Sequence, residues 1–424
     1  MSNKFNLLYD RLIIVCYPIA HMDHKAGLNE PQRQAVEHTE GPLLVLAGAG
    51  SGKTRVITHR IVELITGGVA PHNILAVTFT NKAASEMRER VGDLIRNYAP
   101  ANHAGFDSLP MVTTFHALGV RILREHHATL DLPRHFTIYD RSDSVRAIKK
   151  ALETAGYSPK QFEPRTILST ISRAKGDAMS RTDFLAEATS YPQQVAAEVW
   201  EHYEKSLREE GALDFDDLLL RTLHMLRSYP HILETLQQRF RYLHVDEYQD
   251  TNKVQFEMVK LLAGEQQHIC VVGDVDQNIY SWRGADISNV MQFERNFPGA
   301  RTVFLEENYR STQTIIAASN DIINKNQNRI PKTVFTNNQE GDLITVFPAM
   351  TGSDEAEYIV MTIKSLLSEG AAPSNIAVLY RTNFQSRALE EAFINFEVPY
   401  QLLGTKFFER KRSEGCFVIP TSSP

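Results

Sequence analysis

Cysteine is scarce. The 424 residues hold three, Cys16, Cys270 and Cys416, far apart and odd in number. That excludes a disulfide framework and any zinc spacing, and it fits a reducing, cytoplasmic setting. Positive charge is in deficit too: 45 Lys and Arg stand against 51 Asp and Glu, a formal balance of −6. A uniformly basic nucleic-acid binder is excluded, so any contact with phosphates must be local. No apolar run is long enough to span a bilayer, and no membrane partner is expected. The run Leu12-Ile13-Ile14-Val15-Cys16-Tyr17-Pro18-Ile19-Ala20 follows Asp10 and Arg11, is broken by Pro18, and precedes no small-residue cleavage site. It reads as an N-terminal extension over 1–21, with organised sequence beginning near Met22.

What is present is globular composition, 42% hydrophobic and 23% charged, enough for the cores of two or three domains. Pro42-Leu43-Leu44-Val45-Leu46 is a short apolar strand that ends in Ala47-Gly48-Ala49-Gly50-Ser51-Gly52. Val56, Ile57, Ile61, Leu64 and Ile65 then recur at helical spacing until Gly67-Gly68. A second strand, Ile74-Leu75-Ala76-Val77-Thr78-Phe79-Thr80, and a helix over 83–96 follow. Strand, glycine-rich turn, helix, strand is the order of a parallel α/β sheet. From about 115 to 226 the patterns are helical, as at 142–155 and 194–209. Strand signals resume at 242–245, 268–272 and 301–305. A helix over 312–324, strands over 343–347 and 375–380, and a helix over 354–369 begin a further α/β domain.

Three segments carry chemistry. The first is Ala47-Gly48-Ala49-Gly50-Ser51-Gly52-Lys53-Thr54, between strand and helix. Its glycines let backbone N–H groups converge on phosphate oxygens; Lys53 would reach the β- and γ-phosphates and Thr54 would hold Mg²⁺. The second is Asp246-Glu247 at a strand end. A phosphate-loop nucleotidase needs a carboxylate for Mg²⁺, here Asp246, and a base for water, here Glu247. The third, Gly273 to Gly284, places Gln277 to sense a γ-phosphate. Its Tyr280, Trp282 and Arg283 interleave aromatic and cationic groups suited to stacking on single-stranded bases. The alternative, a core Trp282 and an ion-paired Arg283, is opposed by the polar neighbours.

With these segments in this order, residues 28–410 resemble the superfamily 1A DNA helicases of the UvrD/PcrA/Rep group. Leu28-Asn29-x-x-Gln32 resembles the group's adenine-reading motif, with Gln32 as reader. Thr78-Phe79-Thr80-Asn81-Lys82-Ala83-Ala84 resembles a DNA-facing motif, with Phe79 the base contact, and Thr114-Phe115-His116 the next one, with Thr114 and His116 toward DNA. Asp214-Phe215-Asp216-Asp217-Leu218 matches a further family segment, although Asp216 and Asp217 read on their own as a solvated helix start. Glu307-Asn308-Tyr309-Arg310-Ser311 resembles the motif in which Tyr309 and Arg55 sandwich adenine and Arg310 reaches the γ-phosphate.

The resemblance implies a RecA-like phosphate-loop sheet over 22–112 and 212–297, an all-helical insertion over 113–211, and an incomplete second RecA-like domain over 298–410. It implies ATP and Mg²⁺ as ligands and 3′→5′ movement on single-stranded DNA. It also implies unwinding at single-strand/duplex junctions, in company with repair or replication proteins. Lys53, Glu247, Gln277 and Arg310 would be the catalytic set. The segment 404–410 resembles the approach to the group's second inserted domain, but 411–424 departs from the pattern and two later motifs are missing, as from a truncation or frameshift. The expectation is therefore that nucleotide binding survives while hydrolysis is weak and unwinding absent, and that a half-built second sheet exposes an unpaired edge. The competing reading is a non-motor module that holds ATP and single-stranded DNA. A small-molecule kinase leaves Phe79 and Trp282 unexplained.

Overall fold

The computed structural model describes residues 23–98, 109–327 and 329–402. The expectations for 1–21, 404–410 and 411–424, with Cys16 and Cys416, lie outside the described residues. The chain divides into two units, Met1–Gly341 and Asp342–Pro424.

The strands of the first unit are β1 (Leu43–Ala47), β2 (Ile74–Thr78), β3 (Met111–Thr114), β4 (Thr137–Ile138), β5 (Ala212–Leu213), β6 (Tyr242–Val245), β7 (Ile269–Gly273) and β8 (Arg301–Leu305). Six form one sheet in the order β3-β2-β6-β7-β1-β8, and every pairing in it is parallel. A parallel sheet is covered on both faces, which is why its strands are near-continuous apolar runs. Alternation then sends successive side chains to opposite layers. Leu44, Leu46, Leu75, Val77, Leu243 and Val245 join one core. Leu43, Val45, Ala47, Ile74, Ala76 and Val272 join the other.

The helices follow the apolar stripes. On the second layer lie α1 (Glu30–Glu37), α2 (Lys53–Thr66) and α3 (Asn81–Tyr98), through Val36, Ile57, Ile61, Met87 and Val91. On the first layer α4 (Phe115–Glu125) contributes Phe115, Leu118 and Ile122. The insertion is α5 (Arg141–Thr154), α6 (Pro164–Gly176), α7 (Arg181–Glu187) and α8 (Tyr191–Glu209). It has a core of its own around Ile148, Ile171, Trp200 and Tyr203. After it, α9 (Phe215–Ser228), α10 (Pro230–Arg239) and α11 (Lys253–Ala263) return to the first layer of the sheet.

Three boundaries differ from the sequence expectation. The sequence expects the insertion from 113, but α4 packs on the sheet, so the independent helical core starts after it. It is not wholly helical either: β4 and β5 close its base as a two-stranded parallel ladder. The bound of the second domain at 298 also moves: strand 301–305, read with the strands of the first sheet, is β8 and lies in that sheet against β1, with Val45 opposite Val303. Its apolar Val303 and Leu305 complete the layer that β1 begins.

In the second unit, helices Gly352–Ser368 and Ser386–Asn395 pack through Ala356, Val360, Ile363, Leu389 and Phe393. The two strand-type runs expected there do not form strands. Neither 343–347 nor 375–380 has a ladder partner among the described residues, and a lone extended run has nothing to satisfy its backbone but water. Leu343, Val346 and Leu379 are 85%, 86% and 93% exposed.

Candidate phosphate and nucleic-acid site

Sheet order places the site. The chain crosses from β1 over β7 and β6 to reach β2, so the carboxyl ends of β1, β7 and β6 lie side by side. Register levels them: Leu46 pairs with Gly273 and Val245 with Val271. The residues that follow these strands therefore meet at one crevice, where ligands of open α/β sheets bind.

The loop after β1 runs from Gly48 into the amino end of α2 at Lys53. Gly50 and Gly52 have φ of +66° and +87°, and a Cβ on Gly50 would lie 2.6 Å from the Asn308 amide. Three successive carbonyls of this loop are held from behind. Asn308 Nδ2 donates to Ala49 O at 2.6 Å, Tyr309 N to Gly50 O at 3.1 Å, and Gln32 Nε2 to Ser51 O at 2.9 Å. In a trans peptide the N–H points opposite to the C=O, so these ties turn the N–H groups of Gly50 and Gly52 away from those donors. Such a loop at a helix amino end is built for anions.

Lys53 Nζ donates to Glu247 Oε2 at 2.9 Å and to Gln277 Oε1 at 3.2 Å. Thr54 Oγ1 lies 3.4 Å from Asp246 Oδ2. Burial, then the neighbouring Glu247 charge, push the Asp246 carboxyl up to about 6, against the pull of Lys53. Burial and Glu247 act alike on Asp250, also to about 6. A buried carboxylate held high by desolvation, beside a hydroxyl, fits a hard divalent cation that takes few protein ligands and completes its shell with water and phosphate oxygens. Glu247 sits at φ 50°, ψ 44°, a left-handed conformation rare outside glycine and a form of strain that gathers at functional sites.

Sequence reasoning missed the groups behind this constellation. Gln249 Nε2 donates to Glu247 Oε2 at 2.9 Å, and its Oε1 accepts from Asp274 N at 2.9 Å. Asn308, 2% exposed, ties the phosphate loop and accepts from Arg310 N and Ser311 N. Only its place between Glu307 and Tyr309 could have pointed to it.

The adenine-side expectations gather at one edge. Tyr309 is half exposed; its hydroxyl accepts from Asn29 Nδ2 at 2.8 Å and donates to Glu307 Oε2 at 2.6 Å. Burial and the Glu307 hydrogen bond push Tyr309 up to about 12, with Arg55 pulling the other way. Exposed Arg55 thus shares this edge with it. Gln32 is buried, and its amide is engaged at both ends, with Ser51 O and with Asn29 N at 3.2 Å. Reading a base would require it to exchange one of these bonds. Arg310 is exposed beside Gly50.

The nucleic-acid candidates divide. The loop after β7 carries Trp282 65% exposed, and the Arg283 guanidinium lies 4.6 Å from its ring centroid and 5.4 Å from that of Tyr280. The alternative of a core tryptophan is thereby excluded. Phe79 is half-buried, edge-on to Phe115 at 5.9 Å. Thr114 is buried, and its hydroxyl accepts from Ala117 N as the cap of α4, so it serves that helix. His116 packs against exposed Phe215 at 5.5 Å, and burial lowers its pKa.

The aspartates expected at a solvated helix start are not solvated. Lys175 Nζ, fully buried, donates to Asp214 Oδ2 at 2.9 Å and Asp217 Oδ1 at 2.8 Å. Tyr203 donates to the same Asp214 oxygen at 3.0 Å. Burial works to discharge Lys175, but the two carboxylates outweigh it and raise its pKa. Burial and the Asp214 charge push Asp216 up to about 6. A lysine thirty-nine positions away in sequence gave no local signal.

Comparison with known proteins gives the family. The UvrD/REP helicase N-terminal domain family matches residues 28–298. The chain belongs to this helicase family. The UvrD-like helicase C-terminal domain matches 303–415, from within β8 onward. The ATP-dependent DNA helicase PcrA of Staphylococcus aureus is 47% identical over 386 residues, covering 91% of this chain and 52% of that protein. PcrA of Staphylococcus epidermidis is 47% identical over 387 residues, with the same coverage. The chain thus spans about half the length of the curated relatives it matches. Among the described residues no helix is long and apolar enough to cross a membrane.

Replacing Trp282 with alanine removes an aromatic face that is 65% exposed beside the Arg283 guanidinium. Stacking contributes about 1–3 kcal/mol per base, so affinity for oligo(dT) is expected to fall roughly 5- to 150-fold. Fluorescence anisotropy at two salt concentrations checks this. The loss should persist at high salt, because stacking releases no counterions. Unchanged affinity would remove Trp282 from the interface.

Proposed function

We propose that this chain is an ATP-driven motor element that acts on single-stranded DNA in the cytoplasm, moving 3′→5′ toward duplex junctions in repair or replication. One observation carries the reading: the hydrogen-bonded line Lys53–Gln277–Asp274, which runs from the phosphate loop into the loop that displays Trp282. The polarity and the DNA substrate rest on the family relationship; the line supplies a physical link between nucleotide and base contacts.

The residues take these roles. The N–H groups at Gly50 and Gly52, with Lys53, hold the phosphates. Thr54 and Asp246 would hold Mg²⁺, which supplies charge neutralisation at the phosphate oxygens. Glu247 accepts a proton from the attacking water, with Gln249 fixing the orientation of its carboxylate. Lys53 donates to Glu247 and Gln277, and a phosphate would compete for the same ammonium. Binding would therefore release both partners, Glu247 toward water and Gln277 toward the γ-phosphate. Arg310, beside Gly50, adds positive charge at the same place, and Tyr309 with Arg55 offers two faces for a purine. Phe79, Tyr280, Trp282 and Arg283 would grip the strand.

ATP hydrolysis with and without oligo(dT), on this chain and on Lys53→Ala, tests the proposal. Stimulation by DNA that disappears in Lys53→Ala is the expected result. ATP and DNA binding with no stimulation would make the chain a non-motor binding module. Absence of nucleotide binding would overturn the reading.

A further inference from the structure

The line from the phosphate site does not end at Asp274. Asp274 Oδ2 accepts from Gln277 Nε2 at 2.6 Å, while its Oδ1 accepts from Lys332 Nζ at 2.5 Å. Lys332 Nζ also donates to Asp276 Oδ2 at 2.7 Å, and Arg329 Nη2 reaches that same oxygen at 3.1 Å. The Lys332 and Asp274 side chains are 3% and 2% exposed, so the pair is shielded from solvent screening.

Lys332 comes from a strap that follows helix Gln313–Ile323 and lies against the phosphate loop. Val334 stands where a Cβ on Gly48 would be, 2.7 Å away. Phe335 N donates to Glu306 O at 3.0 Å, and Asn308 N to Phe335 O at 2.7 Å. Thr336 Oγ1 donates to Asn308 O at 2.7 Å, and Asn320 Nδ2 to Val334 O at 2.7 Å. The strap thus touches both the loop that would hold phosphate and the segment that carries Tyr309 and Arg310. It delivers one ammonium to the aspartates beside Gln277.

We propose that Lys332 is a positioning residue: by fixing Asp274 it sets the Gln277 amide and so transmits occupancy of the phosphate site to the Tyr280–Arg283 loop. This rests on the motor reading above. The amide of Gln277 presents Oε1 to Lys53 only while its Nε2 has an anchored acceptor. Asp274 is that acceptor, and Lys332 anchors it from the other oxygen. Without Lys332, Asp274 and Asp276 repel each other at short range and Gln277 loses its fixed register. Lys332 touches neither phosphate nor base in this scheme, so its removal should spare nucleotide affinity and damage coupling.

The test uses the full chain, a non-hydrolysable ATP analogue with Mg²⁺, and oligo(dT). Of the two tryptophans, Trp200 is buried and Trp282 exposed, so acrylamide quenching reports on Trp282. In the parent chain, quenching should change on nucleotide addition and hydrolysis should rise with oligo(dT). Lys332→Met is expected to bind the analogue within threefold of the parent, to lose the nucleotide-dependent quenching change, and to lower the DNA-stimulated kcat roughly 3- to 30-fold with KM for ATP little changed. Lys332→Arg, which keeps the charge, should restore part of the coupling.

Should Lys332→Met fail to fold, as judged by its thermal melt, Lys332→Gln keeps a hydrogen-bond donor at the buried position and removes only the charge. It should give the same split in smaller degree. Coupling equal to the parent in a folded Lys332→Met or Lys332→Gln overturns this inference alone. A parent chain that binds nucleotide with no response in quenching or hydrolysis overturns the motor reading, and this inference with it.

Discussion

Glu247→Gln should lower the rate of ATP hydrolysis about 10²- to 10⁴-fold, the usual contribution of a positioned general base. The substitution is close to isosteric. A glutamine Oε1 can still accept from Lys53 and Gln249, which hold the present carboxylate at 2.9 Å each. The left-handed backbone at φ 50° is equally costly for either residue, so stability should not move. What disappears is the capacity to take a proton. Nucleotide affinity should therefore change little while kcat falls. Single-turnover hydrolysis, with binding followed by a fluorescent ATP analogue, separates the two. A rate within tenfold of the parent would mean that another group activates water, and Asp250, pushed up to about 6 by burial, would be the next to examine.

Lys175→Met carries the largest expected effect on stability. Methionine fills a similar volume but leaves Asp214 and Asp217 buried with no cation. Removing one partner of a buried ion pair typically costs about 3–5 kcal/mol. Here two carboxylates lose the same ammonium, and Tyr203 keeps its bond to one of them. The linkage has a definite sign. Carboxyls whose folded pKa is raised above the unfolded value make the folded state bind protons more tightly, so stability grows as pH falls through the folded value. The variant should thus recover more stability than the parent between pH 7 and pH 5. Urea unfolding followed by the emission of Trp200, which lies in the insertion core, measures both effects. A further change of both aspartates to asparagine should return part of the loss. A variant as stable as the parent at pH 7 would show that the ion triad contributes nothing net.

What the sequence revealed follows from how local the signal was. The phosphate loop, the strand-end Asp246-Glu247 and the Gln277–Trp282 stretch are contiguous, and each is dictated by the turn it makes. All three were legible, and Lys53, Glu247 and Gln277 from them meet at one crevice. The groups that hold them are not contiguous. Lys332, Gln249, Asn308 and Lys175 act across the fold, and a single lysine or asparagine carries no periodicity to betray its partner. Strand β8 illustrates the same limit. Its residues read as strand in either domain, and only the apolar layer shared by Val45, Val303 and Leu305 decides where it lies. The runs 343–347 and 375–380 show the converse: β-type residues specify a strand only when a neighbour supplies the ladder.

The position of β1 in the sheet has a consequence for synthesis. This strand appears early in the chain, yet its neighbours β7 and β8 are the last two of the described strands to be made. The carbonyl ties from Asn308 and Tyr309 arrive later still. During translation the glycine loop therefore waits unpaired while the helical insertion, with its separate core, can already collapse. Such non-local closure is slow, and the apolar β1 is exposed to wrong partners until it is complete. A ribosome-bound chain arrested before β8 should be cleaved readily near the loop by a protease, and one arrested beyond the strap should resist.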